Sequence, residues 1–541
     1  MAASDPERLV SDDNFPPGTI RLLSGPSTLI LVPEPTTDPN DPLNWSFTRK
    51  AVNTVFVYIL TIIIFATLVM QTIFWPQMTV ELNMTYAQLN AGISCNVAGL
   101  AVGSFIFVPF TKKYGRRSTY VISTAVLAGT AWWSGRMNTV SEMYMTNLLF
   151  GLAGSANETV AEMTASGKIP LIADVFFVHQ RGMANGLYII SVMLGNTLIP
   201  TISGVQAEAQ GWRWAYYTTA ICLTIITFVF LFFFEETKYV PVSVGQLSQD
   251  GPHEVEGMKE PPAFATSKLD GSPVVPLGQR ASATTLEPPR MKTFRQRMQF
   301  LTPTSEPLFR GFVTPFRTSM LLHVLFTAVQ SANAIFFLVL MSSVNPIVFS
   351  APPYSFGTAG FGLMLVGPFI GNAIGSLYGG FCGDWVAVRL AKRSNGVFEP
   401  EFRLYILALP AVLMGSGLAI YGVTLDRGMH WIYPSIGSAM YSFSMGAIMD
   451  ISFTVVIDIY TDITADCFVF ITFIRNAGTI ALPFGIVPWL NSMSLTYIFV
   501  ICGCISSSIA LLFIPLVIWG KAIRKASEHR YEALRVEVAS P

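Results

Sequence analysis

Residues 52–74 read VNTVFVYILTIIIFATLVMQTIF, a run of 23 residues without one charged side chain. The hydrocarbon core of a bilayer is about 30 Å thick, and a helix rising 1.5 Å per residue needs about 20 apolar residues to cross it. Eleven more stretches of this kind follow, near 86–110, 118–135, 142–165, 184–206, 214–234, 319–340, 357–381, 404–424, 432–456, 467–490 and 494–519. In lipid every backbone N–H and C=O must be paired within protein, which leaves helices or closed barrels. These runs do not alternate apolar and polar residues as barrel strands would. The expected fold is therefore an all-α membrane protein with twelve transmembrane helices.

Twelve spans put both termini on one side of the membrane. If that side also takes the connections after spans 2, 4, 6, 8 and 10, it holds 28 of the 33 Lys and Arg. The opposite side keeps Arg136, Arg213 and Arg427, with Lys168 beside span 4 and Arg475 inside span 11. Basic loops stay cytosolic, so both ends are expected in the cytosol. Omitting the long central loop leaves 18 against 3, and the orientation stands. Charged residues make up 12% and net charge is zero, which gives a nucleic-acid partner no support. The six cysteines lie in spans or at their ends, so no structural disulfide is expected. Asn83-Met84-Thr85 is a glycosylation sequon in the first outer loop, close to span 2.

The chain divides into a tail (1–50), six spans (51–234), a central loop (235–317), six spans (318–520) and a second tail (521–541). The central loop is rich in Pro, Ser, Thr and charge and is expected to be disordered. Its basic run at 290–297 is open to two readings, a segment on the anionic leaflet or a solvated stretch that fixes topology. The two sixes carry traces of a repeat. Span 2 holds Gly99 and Gly103, and span 8 holds Gly371, Gly375, Gly379 and Gly383, spacings that let helix backbones approach. Each of these spans then runs into a basic loop, at Lys112–Arg117 and at Arg389–Arg393.

The chain here resembles the major facilitator superfamily, and within it the fungal drug- and polyamine-type proton antiporters. The stretches that carry the likeness are 38–46 with Arg49-Lys50, Tyr114–Arg117, Asp174–Gly182, Gly211–Trp214, Phe234–Lys238, Asn395–Leu404, Ile474–Asn476 and Pro488-Trp489. The resemblance implies two pseudo-symmetric six-helix halves around a cavity lined by helices 1, 4, 7 and 10. Three departures bear on proton coupling. Lys112 stands where the family carries an aspartate, with Val108 for the glycine that opens the same motif. Asn147 stands where helix 4 commonly carries an arginine. In helix 5 the pattern survives as Gly195, Pro200 and Gly204, with Ile199 in a glycine position. An apparent insertion covers 165–171.

Ionisable residues inside spans cost about 2.5–3.5 kcal/mol on insertion scales, so they face a cavity or a partner. Glu158 in span 4 and Asp450 in span 10 are the leading candidates for substrate binding or proton coupling. Glu162, one turn on, reads either as a second relay carboxylate or as a headgroup-level residue. Span 7 offers Gln330 and Asn333 as hydrogen-bonding groups, with His323 more consistent with an interfacial position than with proton carriage. A second set, Arg116, Arg117, Asp174, Asp384, Arg389, Asp458 and Arg475, lies mostly at cytosolic helix ends and reads either as gating ion pairs or as topology-setting charge. Phe74, Trp75, Trp132, Trp133, Trp212, Trp214 and Trp489 are expected mostly in interfacial belts.

The expected function is secondary active transport across the plasma membrane: proton-coupled efflux of a metabolite, drug or toxin. Its close alternative is polyamine-like cation transport. A monomer is expected, with a small-molecule substrate, protons and lipid as partners and no cofactor or metal. A membrane enzyme would need clustered His, Cys or acidic residues, and five scattered histidines disfavour it. A nutrient sensor on the same fold would rely on the central loop, because the second tail is short.

Overall fold

The computed structural model describes residues 16–21, 45–162, 178–235, 298–302, 308–394 and 397–539, with the backbone alone at 20–21, 47, 157–162, 178–189, 308 and 538–539. The described residues form twelve long helical passes, numbered here in chain order. In the N-terminal half these are helix 1 (Phe47–Ile73), 2 (Tyr86–Tyr114), 3 (Arg116–Ser134), 4 (Val140–Glu162), 5 (Val178–Gln210) and 6 (Trp212–Phe233). In the C-terminal half they are helix 7 (Leu322–Phe349), 8 (358–393), 9 (400–426), 10 (Ile432–Ile459), 11 (464–492) and 12 (495–539). Nine of the twelve are long and apolar enough to cross a membrane by composition alone. Helices 3, 4 and 5 complete the set.

Helix pairing follows the repeat. Helix 1 packs on 5 as 7 packs on 11, 2 on 4 as 8 on 10, and 3 on 6 as 9 on 12. The glycine stripes make the second of these pairings possible. A Cβ on Gly99 would overlap the Leu148 carbonyl, and one on Gly375 would overlap that of Phe443. Backbone contact this close leaves no room for a side chain.

Several expectations change at the edges. The central loop is not uniformly disordered: Leu308–Arg317 is a helix lying against helices 2 and 11. Its Phe316 stacks on Phe105, at 4.9 Å between centroids, and meets Phe473 edge-on. The apolar face explains the order. The second tail is also no free tail, since helix 12 continues to Ala539. Arg535 and Tyr531 reach Asp462 at 3.0 and 3.1 Å, and Arg317 reaches Glu537 at 2.7 Å. Phe74, Trp75 and Trp212 are buried rather than interfacial. The short helix Trp75–Glu81 folds over the N-terminal half, and Glu81 accepts from Trp212 Nε1 and from Arg213, each at 2.8 Å. Trp132, Trp133 and Trp214 are exposed. Asp174, the 165–171 stretch and the 290–297 run lie outside the described residues.

Candidate functional site at the interface between the halves

The halves meet chiefly along two symmetric seams, helix 2 against 11 and helix 5 against 8. Helices 1 and 7 touch lightly, as do 4 and 11. At the end away from the chain termini the helix 5–8 seam is close. Thr201 Oγ1 donates to the Gly362 carbonyl at 2.8 Å, and Thr358 Oγ1 donates to that of Gly204 at 3.0 Å. Tyr86 and Ser350 hydroxyls add a contact at 3.3 Å between helices 2 and 7.

At the other end of helix 2, Lys112 Nζ reaches Asp466 Oδ1 of helix 11 at 2.7 Å. Asp466 sits in the first turn of its helix, where a negative charge also suits the helix dipole. Lys112, a departure from the family pattern, thus works with an acid on the opposite half. The motif's other charges do different jobs. Arg116 and Arg117 are buried, and Arg117 Nη2 donates to the Leu231 carbonyl at 2.6 Å, tying helix 3 to the end of helix 6. The start of helix 1 is tied to that end as well: Arg49 pairs with Glu235, and Asn53 Oδ1 accepts from the Glu235 N–H at 3.1 Å.

In the C-terminal half Asp384 and Asp458 come together, but through Arg403. Its guanidinium pairs with Asp384 and lies 3.0 Å from Asp458 through Nε. Arg389, expected in this set, is exposed and stacks over Trp385 at 5.1 Å instead. Arg475 is buried in helix 11, its Nε 3.3 Å from Asn476 Oδ1. Arg403, Lys112 and Asp466 form ion pairs that sequence reasoning did not bring together. Arg403 was legible only as part of the loop 8–9 signature, and nothing local marks Asp466 as a partner of helix 2.

Two of the substrate-site candidates contact helix 12. Gln330 Nε2 donates to the Ile509 carbonyl at 2.8 Å, and Asn333 Nδ2 to the Ser506 carbonyl at 3.2 Å. Both amides point into helix 12, where that helix breaks between Ala510 and Phe513, and both are buried. His323 is not interfacial either: it is 0% exposed, with Nε2 3.6 Å from Glu401 Oε1 and its ring edge-on to Tyr460. Asn147 Nδ2 donates to the Met143 carbonyl of its own helix at 2.8 Å, while its backbone carbonyl accepts from Asn96 Nδ2 of helix 2 at 3.3 Å.

Asp450 is half-buried against helix 8, where a Cβ on Gly379 would lie 2.8 Å from its Oδ2. That stretch of helix 8, Tyr378–Cys382, is a π-turn, and Arg403 and Asp384 are within electrostatic reach of the carboxylate. Glu158 and Glu162 lie on the backbone of helix 4, and their side chains are outside the description. The close contacts still fix a register: Gly99 meets Leu148 as Gly371 meets Ala439, and Gly103 meets Leu152 as Gly375 meets Phe443. Carried along the two helices, this sets Asp450 opposite Thr159, beside Glu158. Asn83 is exposed, with φ of 52°, and Thr85 caps helix 2 by accepting the Gln88 N–H at 3.3 Å.

Two symmetric six-helix halves, joined along narrow seams and carrying acids inside their spans, define a secondary transporter of the alternating-access kind. The family model of the Major Facilitator Superfamily matches residues 57–483, and the chain belongs to that family. It is a multi-pass membrane transporter rather than an enzyme. It is 27% identical to the MFS-type transporter C1271.10c of Schizosaccharomyces pombe, over 94% of this chain and 90% of that one. It is 24% identical to the multidrug transporter TPO1_2 of Candida glabrata, over 81% of this chain and 69% of the relative. The xylose transporter XylE from E. coli, in a partially occluded inward-open conformation, superposes with a TM-score of 0.57 at 12% identity, covering 87% of this chain and 98% of its own. That likeness concerns the fold.

Proposed function

We propose that the protein exports a small organic molecule, such as a metabolite, drug or toxin, across the plasma membrane in exchange for protons. The observation that carries the reading is the register of the glycine seams. By that register the counterpart of Asp450 is Thr159, next to Glu158, which supports reading the two acids as lying at similar depths of equivalent helices, one in each half. A carboxyl in a poorly hydrated site favours its neutral form, so it binds and releases protons as its surroundings change during the cycle. Arg403 supplies a charge whose distance to Asp450 can change with the state of the helix 8–10 pair. The relative named as a multidrug transporter supports the substrate class. Polyamine-like cation transport is the second reading, favoured by two acids within the spans. The cytosolic placement of both termini rests on the distribution of basic residues, and a glycan on exposed Asn83, lost in Asn83→Gln, is the expected sign of it.

The test uses proteoliposomes carrying an imposed proton gradient, with a panel of polyamines and lipophilic compounds. Compound-dependent proton movement is expected in wild type, falling at least about tenfold in Glu158→Gln and in Asp450→Asn, the loss of rate expected of a missing proton carrier. Substrate accumulation without proton movement, equal in both variants, would overturn the exchange.

A further inference from the structure

Residues 16–21 precede helix 1, yet the contacts they make beyond themselves go to the C-terminal half. Strand β1 (Ile20–Arg21) pairs antiparallel with β2 (Val397–Phe398), in register Ile20 to Phe398 and Arg21 to Val397. Arg524 Nη1 donates to the Pro17 carbonyl at 2.7 Å and to Thr19 Oγ1 at 2.8 Å. Gly18 has φ of +83°, and a Cβ there would lie 2.9 Å from the Asp458 carbonyl oxygen and from Ile459 Cα. Only glycine fits that turn.

The seat is built for this occupant. Arg524 is 1% exposed and Glu401 is 3% exposed. Glu401 takes Arg524 Nε at 2.7 Å and Nη2 at 2.9 Å. The two hydrogens of Nη1 are then left facing outward. Buried N–H groups require acceptors, and the segment supplies one to each. No other reason for burying this arginine is needed.

We infer that this face of the C-terminal half is a receptor for the chain's own N-terminal segment, and that displacing the segment regulates transport. The 23 residues at 22–44 reach about 80 Å at full stretch, so the segment stays seated whichever way the halves tilt. What removes it is a competing ligand or a modification, not the transport cycle. The docked segment pairs with Val397 and Phe398 and packs on Pro400, in the stretch from which Arg403 grips Asp384 and Asp458. Undocking withdraws that support from the ion pairs beside Asp450. The docking argument is independent of the substrate and the coupling proposed above.

The test is made on the full chain carrying Arg21→Cys and Val397→Cys, with the joined peptides identified by mass spectrometry after mild oxidation. A 21–397 disulfide is expected, at least tenfold slower to form with Gly18→Val added or with excess peptide of residues 12–24. No disulfide, or one formed equally fast with Gly18→Val, would overturn the dock. Transport by the Gly18→Val chain is expected to differ at least threefold from that of the oxidised chain. Equal rates would overturn the regulatory role.

Discussion

Lys112 shows how one side chain can reassign a motif. A lysine in a loop signature reads as one more cytosolic charge until Asp466 appears 2.7 Å away on the other half. The pair is partly shielded, with side chains 25% and 5% exposed, so solvent weakens it less than a surface pair. Lys112→Asp would face Asp466 with a like charge and is expected to separate helices 2 and 11 and slow transport. The exchanged pair, Lys112→Asp with Asp466→Lys, should recover most of the loss, a coupling of about 1–3 kcal/mol in a double-mutant cycle. If the exchanged pair does no better than the single variants, the contact has no gating role. Asp450 and Glu158 were visible in the sequence as acids inside apolar runs. That Gln330 and Asn333 donate to carbonyls of helix 12 was not legible, because sequence position does not say which way an amide on helix 7 points.

At the scale of elements, the seams between helices depend on residues that contribute no side chain. Gly375 lies against the Phe443 carbonyl, so Gly375→Val must push helices 8 and 10 apart. Overpacking of this kind costs about 1–3 kcal/mol, and a lower melting temperature in detergent is the expected result. At Gly485 an added Cβ would meet nothing within 4 Å, so Gly485→Ala is the control and should not lower the melting temperature. The outer cap of the N-terminal half depends instead on one large side chain. Trp212 is fully buried and bonds Glu81, so Trp212→Ala is expected to destabilise by about 3–5 kcal/mol. Thermal unfolding of the purified protein would show it. Glycine spacing was readable in the sequence. Burial of Trp212 was not, since a tryptophan beside a span end belongs by composition in the headgroup region.

For the whole molecule, alternating access requires one end of the interface to open while the other closes. The end away from the termini, outer by the distribution of basic residues proposed above, is held by Thr201 on Gly362 and Thr358 on Gly204. Each such bond contributes about 1 kcal/mol, so removing both shifts the balance about tenfold or more toward the outward-open state. Spin labels on the exposed residues Val80, in the short helix after helix 1, and Met429, in the loop after helix 9, would report it. The expected change in Thr201→Ala with Thr358→Ala is a larger population at long distance. An unchanged distribution would show that these bonds do not hold the outer end.

By itself the sequence determined that the chain is helical, spans a membrane twelve times, repeats in two halves and directs its basic loops to one side. Those properties follow from local sums: apolar length against bilayer thickness, glycine period against helix pitch, and charge counted loop by loop. Only the tertiary structure decided that Lys112 meets Asp466, that Arg403 joins Asp384 to Asp458, and that Arg524 is buried to hold Pro17 and Thr19. These partners lie far apart in sequence, by more than 500 residues in the last case. The contacts between them depend on which face of each helix turns inward once the two halves have packed, and no local sum contains that information.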